Sequence, residues 1–467
     1  MDKQTDIAII GAGPGGYVAA LRGAQLKKRI VLVEEDKAGG TCMNYGCIPT
    51  KYLLHQTKVF KEWKECNKFE GPLQQVTFNW KKVQEEKGKV VERLVRGVEF
   101  LLKKNGVEFV RGRASLKDEK HILVQTQEGE SLITAEKVIL STGSRSADFP
   151  FLRPNGKEVI TSQEALELEA IPRTLLIVGA GAIGVEMGTI YSRMGTQVTI
   201  LEMMPTILPG CDKEMAVRLE KILRSQGMKI LTQMKIEHAV MSPENIRIKG
   251  TDMKNQSVFE IEAEKVLMAA GRKPNSEVFQ SGPIKISSGK TGSIEVNSRM
   301  ETNIPGIYAV GDLIGGKLLA HKASHEGLVA VENAAGGKRV VEDRALPMAV
   351  FTEPEFATVG ITEGEARDRE GQIQVGTFSF QANGRALTIE STEGLVKIIA
   401  NTKDEIIGAH ILGPLASELI PELTLAVHKR LKLRDISSSI HIHPTLSEAV
   451  MEATLKAKGE ALHCLNE

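Results

Sequence analysis

The chain has 467 residues but few aromatic side chains, 4 % of the total. That scarcity argues against a stacking platform for single-stranded nucleic acid. Excess charge is also missing. Lys and Arg number 60 against 59 Asp and Glu, a formal net charge of +1, so there is no bulk basic surface for a polyanion. Five cysteines cannot make a disulfide scaffold, and a chain this long buries its cores without one. No run of about 18 uncharged apolar residues occurs. The best candidate, 175–190, is broken by Glu186. Met1 is followed almost at once by Ile7-Ala8-Ile9-Ile10, which leaves no room for a signal or transit peptide. The expectation is a protein of a reducing compartment, with neither membrane nor nucleic acid as partner. That compartment is the cytoplasm, or the mitochondrial matrix if a leader has been removed.

Glycine is the residue in surplus, 44 of 467, and part of the surplus sits in two turns that repeat one pattern. The first copy is a strand over 6–10, then Gly11-Ala12-Gly13-Pro14-Gly15-Gly16, a helix, and a strand over 29–33 ending at Glu34. The second is a strand over 174–178, then Gly179-Ala180-Gly181-Ala182-Ile183-Gly184, a helix, and a strand over 197–201 ending at Glu202. The acid stands 18 residues after the last glycine in both. The downstream segments 137–143 and 265–271 echo each other as well, Lys-Val-Ile-Leu against Lys-Val-Leu-Met. This predicts an α/β fold with two Rossmann-like dinucleotide-binding domains.

Each glycine has a reason in such a turn. The first permits the tight bend, the second lets backbone approach a pyrophosphate, and the third lets helix and strand pack closely. The helix N-terminus then offers free N–H groups and the positive end of its dipole to the phosphates. The acid suits ribose hydroxyls and would repel a 2′-phosphate. Glu202 is followed by Met203, Met204 and Pro205 with no basic residue, so the second site should prefer NAD to NADP. Between the two copies an amphipathic helix is expected over 80–105, with Val83, Val90, Leu94, Val98 and Leu101 at helical spacing. Short strands are expected after Pro274, up to 307–312, and an α+β domain from about Leu346.

Cys42 and Cys47 stand apart from the other cysteines by spacing. C-x4-C is not a zinc half-site, and no second pair follows at ligand spacing, so no metal is expected. A bridge needs Cα atoms within about 7 Å, whereas five residues of regular helix rise about 7.5 Å. A Cys42–Cys47 bridge therefore demands a distorted turn, which Gly46 and Pro49 would permit. Two unrelated thiols are the alternative. Near the C-terminus, His443 and Glu448 are spaced so that a carboxylate can hold one ring nitrogen and raise the basicity of the other. A thiol titrating near 8.5 needs such a base at neutral pH. His441 reads as a packing or solvated histidine, and His443–Pro444 as a candidate cis bond.

The stretch Gly39-Gly40-Thr41-Cys42-Met43-Asn44-Tyr45-Gly46-Cys47-Ile48-Pro49-Thr50-Lys51 resembles the redox-active segment of the FAD-dependent pyridine nucleotide–disulfide oxidoreductases. The resemblance spans the chain through Thr161-Ser162-Gln163-Glu164-Ala165-Leu166, Gly271-Arg272-Lys273-Pro274-Asn275, Leu319-Ala320-His321-Lys322-Ala323 and Phe351-Thr352-Glu353-Pro354-Glu355. Most specific are the segments 408–414 and 441–448. It implies FAD on the first fingerprint, at Gly11, Gly13, Gly16, Glu34, Thr41, Lys51, Thr142, Gly143, Asp312 and Ala320. It implies NAD on the second, at Gly179, Gly181, Gly184, Glu202 and Gly271. Residues 1–147 would be the FAD domain, 148–274 the NAD domain, 275–345 a central region completing the FAD site, and 346–467 a C-terminal α+β dimerisation domain.

The resemblance further implies a chemistry. Cys42 and Cys47 form a redox disulfide, with Cys42 exchanging with substrate and Cys47 beside the flavin. His443 and Glu448 act as the thiol base on the partner subunit's cysteines, and Lys51 and Glu186 lie next to the flavin ring. The reaction so implied is oxidation of a protein-bound dihydrolipoyl group with reduction of NAD. The chain would be a homodimer serving lipoyl domains of 2-oxo acid dehydrogenase acyltransferases or the glycine-cleavage H protein. Cys66, Cys211 and Cys464 are taken as structural or incidental. Rivals are a glutathione-reductase-like enzyme, which would want basic residues after Glu202, and a mercuric-reductase-like one, which would want a paired C-terminal cysteine. A redox sensor without turnover is the third, and it has no need of a dedicated base.

Overall fold

The computed structural model describes residues 3–68, 76–147, 149, 151–242, 245–280 and 282–466. Among these, three large sheets carry the architecture, two built on the glycine-rich turns and one near the C-terminus. In the first, strand Lys3–Ile10 lies between Ile30–Glu34 and Gly129–Leu140, all parallel, with Glu108–Arg111 beyond Ile30–Glu34. Helices Pro14–Gln25 and Ala320–Ala334 cover one face, and strands Arg113–Leu116 and His121–Thr126 the other, so Ile7-Ala8-Ile9-Ile10 is buried without alternation, as an interior strand covered on both faces requires. The far side of Gly129–Leu140 is completed by Ile307–Ala309, brought from well downstream. The early half of Gly129–Leu140 also carries an antiparallel extension, His121–Thr126 and Arg113–Leu116.

The second sheet repeats the plan. Thr174–Val178 lies between Gln197–Leu201 and Lys265–Met268, with Lys229–Leu231 at one edge and Val159–Ile160 at the other. Its antiparallel meander, Met234–Met241, Ile246–Asp252 and Ser257–Ala263, is a separate sheet. The third large sheet is antiparallel, in the order Met348–Val350, Glu355–Gly360, Ile406–Gly413, Leu395–Ala400, Gln374–Ser379. Helices Ala416–Lys429 and Glu448–Ala457 bury Leu423 and Val450 against its Val396, Ile398 and Ile411. The fold class is the expected one.

Two local expectations are corrected. The region after Pro274 is not a series of strands. Among the described residues it holds the short helix Glu277–Gln280 and two isolated bridges, Ser288 to Ile294 and Glu301 to Tyr308, because Gly282, Pro283, Gly289 and Gly292 interrupt it. Helix Trp80–Lys104 forms as expected, with the Asn79 side chain accepting from Lys82 N–H at its start. Its apolar stripe, however, is only partly covered. Trp80, Lys87, Val98 and Leu102 are buried and Val83, Val91 and Val95 half-buried, whereas Val90, Leu94 and Leu101 are exposed, because the line of contact runs along the helix to one side of them. No helix among the described residues is long and apolar enough to cross a membrane.

Candidate active site

The two glycine-rich turns have one geometry. Gly13 and Gly181 are the residues before their helices, at φ −67°, ψ −176° and φ −72°, ψ −178°. A Cβ on Gly16 would sit 1.7 Å from the Gly11 carbonyl oxygen, and one on Gly184 2.0 Å from that of Gly179, so only glycine closes helix onto strand. A Cβ on Gly13 or Gly181 would meet nothing within 4 Å. That open space, at the N-terminus of a buried helix, is the cradle a pyrophosphate needs. Both acids are held by the turn itself. Glu34 accepts from Ala12 N–H at 2.6 Å and Asp36 N–H at 2.9 Å, and Glu202 from Ala180 N–H at 2.7 Å and Met204 N–H at 2.8 Å. Burial raises the Glu34 carboxyl above its usual range despite these bonds.

Only the first turn is followed by a pair of thiols in contact. Gly39 donates to the Ala12 carbonyl at 2.9 Å, and a Cβ on Gly40 would lie 2.6 Å from the Gly13 Cα, so the cysteine segment starts pressed against the phosphate cradle. Thr41 is exposed on helix Gly40–Tyr45. The helix stops at Gly46 and a new one, Cys47–Glu65, begins. The distorted turn that the spacing demanded is this break, and it places Cys42 and Cys47 in contact. Cys47 is the first residue of the 19-residue helix. Its thiol is brought down to about 7, chiefly by the hydrogen bond from Cys42, against burial, with help from the Lys51 ammonium and its own backbone N–H. The same hydrogen bond and burial push the Cys42 thiol up. In the dithiol form, then, Cys47 carries the negative charge.

Lys51 lies one turn along that helix and reaches Glu186 of helix Ala182–Arg193, at 2.8 and 3.1 Å to its two oxygens. Glu186 is buried and also accepts from Phe351 N–H at 2.9 Å, while the Phe351 ring lies 4.6 Å from the Lys51 ammonium. The pair therefore joins three distant parts of the chain. In the sequence Phe351 stands only within the motif Phe351-Thr352-Glu353-Pro354-Glu355, with nothing to link it to Lys51.

Beyond the first turn, Thr142 and Gly143 are locked to Asn275. The Thr142 hydroxyl donates to the Asn275 carbonyl and the Asn275 amide to the Thr142 carbonyl, both at 2.9 Å, and Asn275 N–H donates to Gly143 at 3.0 Å. Asp312 accepts from the Ser144 hydroxyl at 2.5 Å and lies 3.8 Å from Arg272. Ala320 opens the helix Ala320–Ala334, which packs on the first fingerprint helix Pro14–Gln25. On that helix Glu326, buried and paired with Lys322 at 2.7 Å, accepts from Gly311 N–H at 2.8 Å. Sequence reasoning missed Ser144 and Glu326; the spacing of Lys322 and Glu326 was the available signal. Gly271, at φ +128°, borders open space near the second turn.

His443 Nδ1 meets Glu448 Oε1 at 2.9 Å, and Glu448 Oε2 accepts from Thr445 N–H at 2.9 Å. Burial would raise this carboxyl, but the Thr445 N–H and His443, with a smaller contribution from His463, hold it below its usual range. The His443 side chain is 79 % exposed, and its Nε2 has no hydrogen-bond partner among the described residues. His441, by contrast, is tucked against Glu422 at 3.2 Å. The His443–Pro444 bond is cis. No hydrogen bond or ion pair among the described residues links the dyad to the cysteines of the same chain. Around it Ile440 is 98 % and Ile442 75 % exposed, an apolar surface that calls for cover. No cluster of metal ligands occurs among the described residues.

Residues 5–327 match the family model of the pyridine nucleotide-disulphide oxidoreductases, and 346–454 match that family's dimerisation domain. Over 469 residues the chain is 42 % identical to a protein of Thermus scotoductus named dihydrolipoyl dehydrogenase, covering 99 % of this chain and 100 % of the relative. A protein of the same name from Geobacillus stearothermophilus is 39 % identical, with 99 % and 98 % covered. Among solved structures, LpdA of Mycobacterium tuberculosis aligns with a TM-score of 0.88 at 25 % identity, covering 97 % of this chain and 99 % of that one. The HOCl-induced flavoprotein disulfide reductase RclA of Escherichia coli aligns with a TM-score of 0.84 at 27 % identity, covering 96 % and 99 %.

Proposed function

The chain belongs to the pyridine nucleotide-disulphide oxidoreductases, and from that premise we propose that it oxidises dihydrolipoyl groups to the lipoyl disulfide with reduction of NAD, the dihydrolipoyl dehydrogenase reaction. The observation that carries this reading is the contact of Cys42 with Cys47 at the helix break, with Cys47 on a helix N-terminus beside Lys51. FAD fits the first turn, held by Gly11, Gly13, Gly16, Glu34, Thr41, Lys51, Thr142, Gly143, Asp312 and Ala320. NAD fits the second, held by Gly179, Gly181, Gly184, Glu202 and Gly271. The four-part division at 147, 274 and 345 assigns these sites to separate domains. Bound FAD supplies the two-electron passage between the cysteine pair and NAD.

The chain's own groups do the thiol chemistry. Glu448 keeps the proton of His443 on Nδ1, so Nε2 is the basic nitrogen. It takes the proton of a substrate thiol, and the thiolate attacks Cys42. Cys47 leaves as the thiolate, which its environment favours at neutral pH. Lys51, anchored by Glu186, keeps a positive charge beside the acceptor of the electrons.

The enzyme works as a homodimer. His443 serves the cysteine pair of the partner subunit, a reading supported by its exposure, its separation from its own cysteines and the apolar Ile440 and Ile442 around it. The lipoyl groups belong to lipoyl domains of 2-oxo acid dehydrogenase acyltransferases or of the glycine-cleavage H protein, in the cytoplasm. The test is anaerobic mixing with dihydrolipoamide and then NAD. Reduction of the enzyme by two electrons followed by NADH formation is expected; an enzyme left oxidised by dihydrolipoamide contradicts the assignment.

A further inference from the structure

Helix Glu448–Ala457 carries a second glutamate one turn after the first, and that glutamate also holds an imidazole. His463 Nδ1 meets Glu452 Oε1 at 2.7 Å, and Glu452 Oε2 accepts from the N–H groups of Leu462 and His463, both at 3.2 Å. The arrangement copies His443 on Glu448, where one carboxylate oxygen takes Nδ1 and the other a nearby backbone N–H. Glu452 is 3 % exposed, so the carboxylate is a fixed anchor, while the His463 ring is 69 % exposed. The Nδ1 bond leaves Nε2 as the basic nitrogen, without a hydrogen-bond partner among the described residues. Residues at i and i+4 share a helix face, and His463 is near enough to Glu448 to help hold that carboxyl down. The charged and titratable groups around it are Glu452, Glu448 and, next in the chain, the thiol of Cys464.

We propose that His463, held by Glu452, is a second thiol base that takes the proton of the second substrate thiol. The proposal rests on the dithiol reading above. One base is not enough for both thiols without a pause. His443 takes the first proton, the first substrate sulfur bonds to Cys42, and the Cys42–Cys47 bond breaks with its electron pair on Cys47. Ring closure then needs the second thiol as a thiolate. It attacks the first substrate sulfur, and Cys42 leaves and receives the proton that His443 still holds. The proton of the second thiol passes to His463 Nε2 and from its exposed edge to water. Two S–H bonds and the enzyme disulfide are broken, and the lipoyl S–S bond and the Cys42 S–H bond are formed. The two electrons rest on the cysteine pair.

The test uses the full-length holoenzyme with dihydrolipoamide and NAD, in weakly basic non-nucleophilic buffer and again with imidazole. In His463→Gln the amide can still donate to Glu452, so the tail stays in place. The kcat falls about tenfold with KM unchanged, less than the ~10²–10⁴-fold of a sole base because water remains an acceptor. Imidazole restores it. An unchanged kcat, or a loss that imidazole does not restore, overturns the proposal. So does an equal loss in Cys464→Ser, which would move the role to the thiol. Failure of the unmodified enzyme to oxidise dihydrolipoamide at all would instead defeat the underlying assignment.

Discussion

The two fingerprint regions share a backbone and differ in what closes over it. Each has five parallel strands built around the same central three, the same third-glycine contact, and an acid bonded to the same backbone position. In the first, the fifth strand and a covering helix come from 307–334. That helix packs so tightly that a Cβ on Gly327 would lie 2.4 Å from the Gly15 carbonyl oxygen. In the second, the fifth strand comes from just upstream, Val159–Ile160, and Ile183 stands where the first has Gly15. The first turn is thus covered at Gly15 by later chain, whereas Ile183 at the matching place of the second turn stays half-buried. That difference suits a resident cofactor in the first and an exchanging one in the second.

The comparison can be broken from its chemical side first. Only the first region carries a close-spaced pair of cysteines after its acid, so Cys47→Ser should abolish dihydrolipoamide–NAD turnover while the NAD turn stays intact. A near-normal rate would remove the thiol pair from the mechanism. His443→Gln should slow thiol–disulfide exchange by about 10²–10⁴-fold, the usual worth of a general base; stopped-flow reduction by dihydrolipoamide measures it. Glu202→Arg should lower the preference for NAD over NADP by roughly ten- to a hundredfold in kcat/KM, since a hydrogen bond to a charged group contributes about 1.5–3 kcal/mol.

The smallest effects come from exchanging the second of the two residues that differ between the turns, Pro14-Gly15 in one and Ala182-Ile183 in the other. Gly15→Ile puts a side chain where even a Cβ meets Ser141 Oγ at 3.0 Å and the Ala323 carbonyl at 3.2 Å. It should destabilise the protein by about 1–3 kcal/mol and loosen FAD, read by thermal unfolding and flavin retention on a desalting column. Ile183→Gly should cost about 1 kcal/mol or less from helix propensity and leave FAD bound. Equal flavin loss in both would erase the distinction.

Much of this was legible because it is local. The second fingerprint strands, Thr174–Val178 and Gln197–Leu201, fall where the pattern put them, and the helix break at Gly46 follows from the spacing of two cysteines. What was not legible depends on distant chain. Neither Ile307–Ala309 nor Val159–Ile160 says which parallel sheet it will close, since a short apolar run fits either edge. The cation–π contact of Phe351 with Lys51 and the anchoring of His463 by Glu452 are likewise tertiary facts. The exposed Val90, Leu94 and Leu101 of Trp80–Lys104 show the opposite limit, in which helical periodicity gives a stripe but not what covers it.

The central claim is that Cys47, and not Cys42, is the charged thiol beside the first cofactor. The direct measurement is the long-wavelength thiolate–flavin absorption of Cys42→Ser and Cys47→Ser as pH is varied. The Cys47 thiol is lowered to about 7, so it is a thiolate above that pH and a neutral thiol below it. Serine at 42 keeps a hydroxyl that can donate to Cys47, and Lys51 still favours the anion, so the Cys47 thiolate persists in Cys42→Ser. The account predicts a band present at alkaline pH in Cys42→Ser, lost on acidification, and absent from Cys47→Ser throughout. A band that persists in Cys47→Ser and disappears in Cys42→Ser would contradict it.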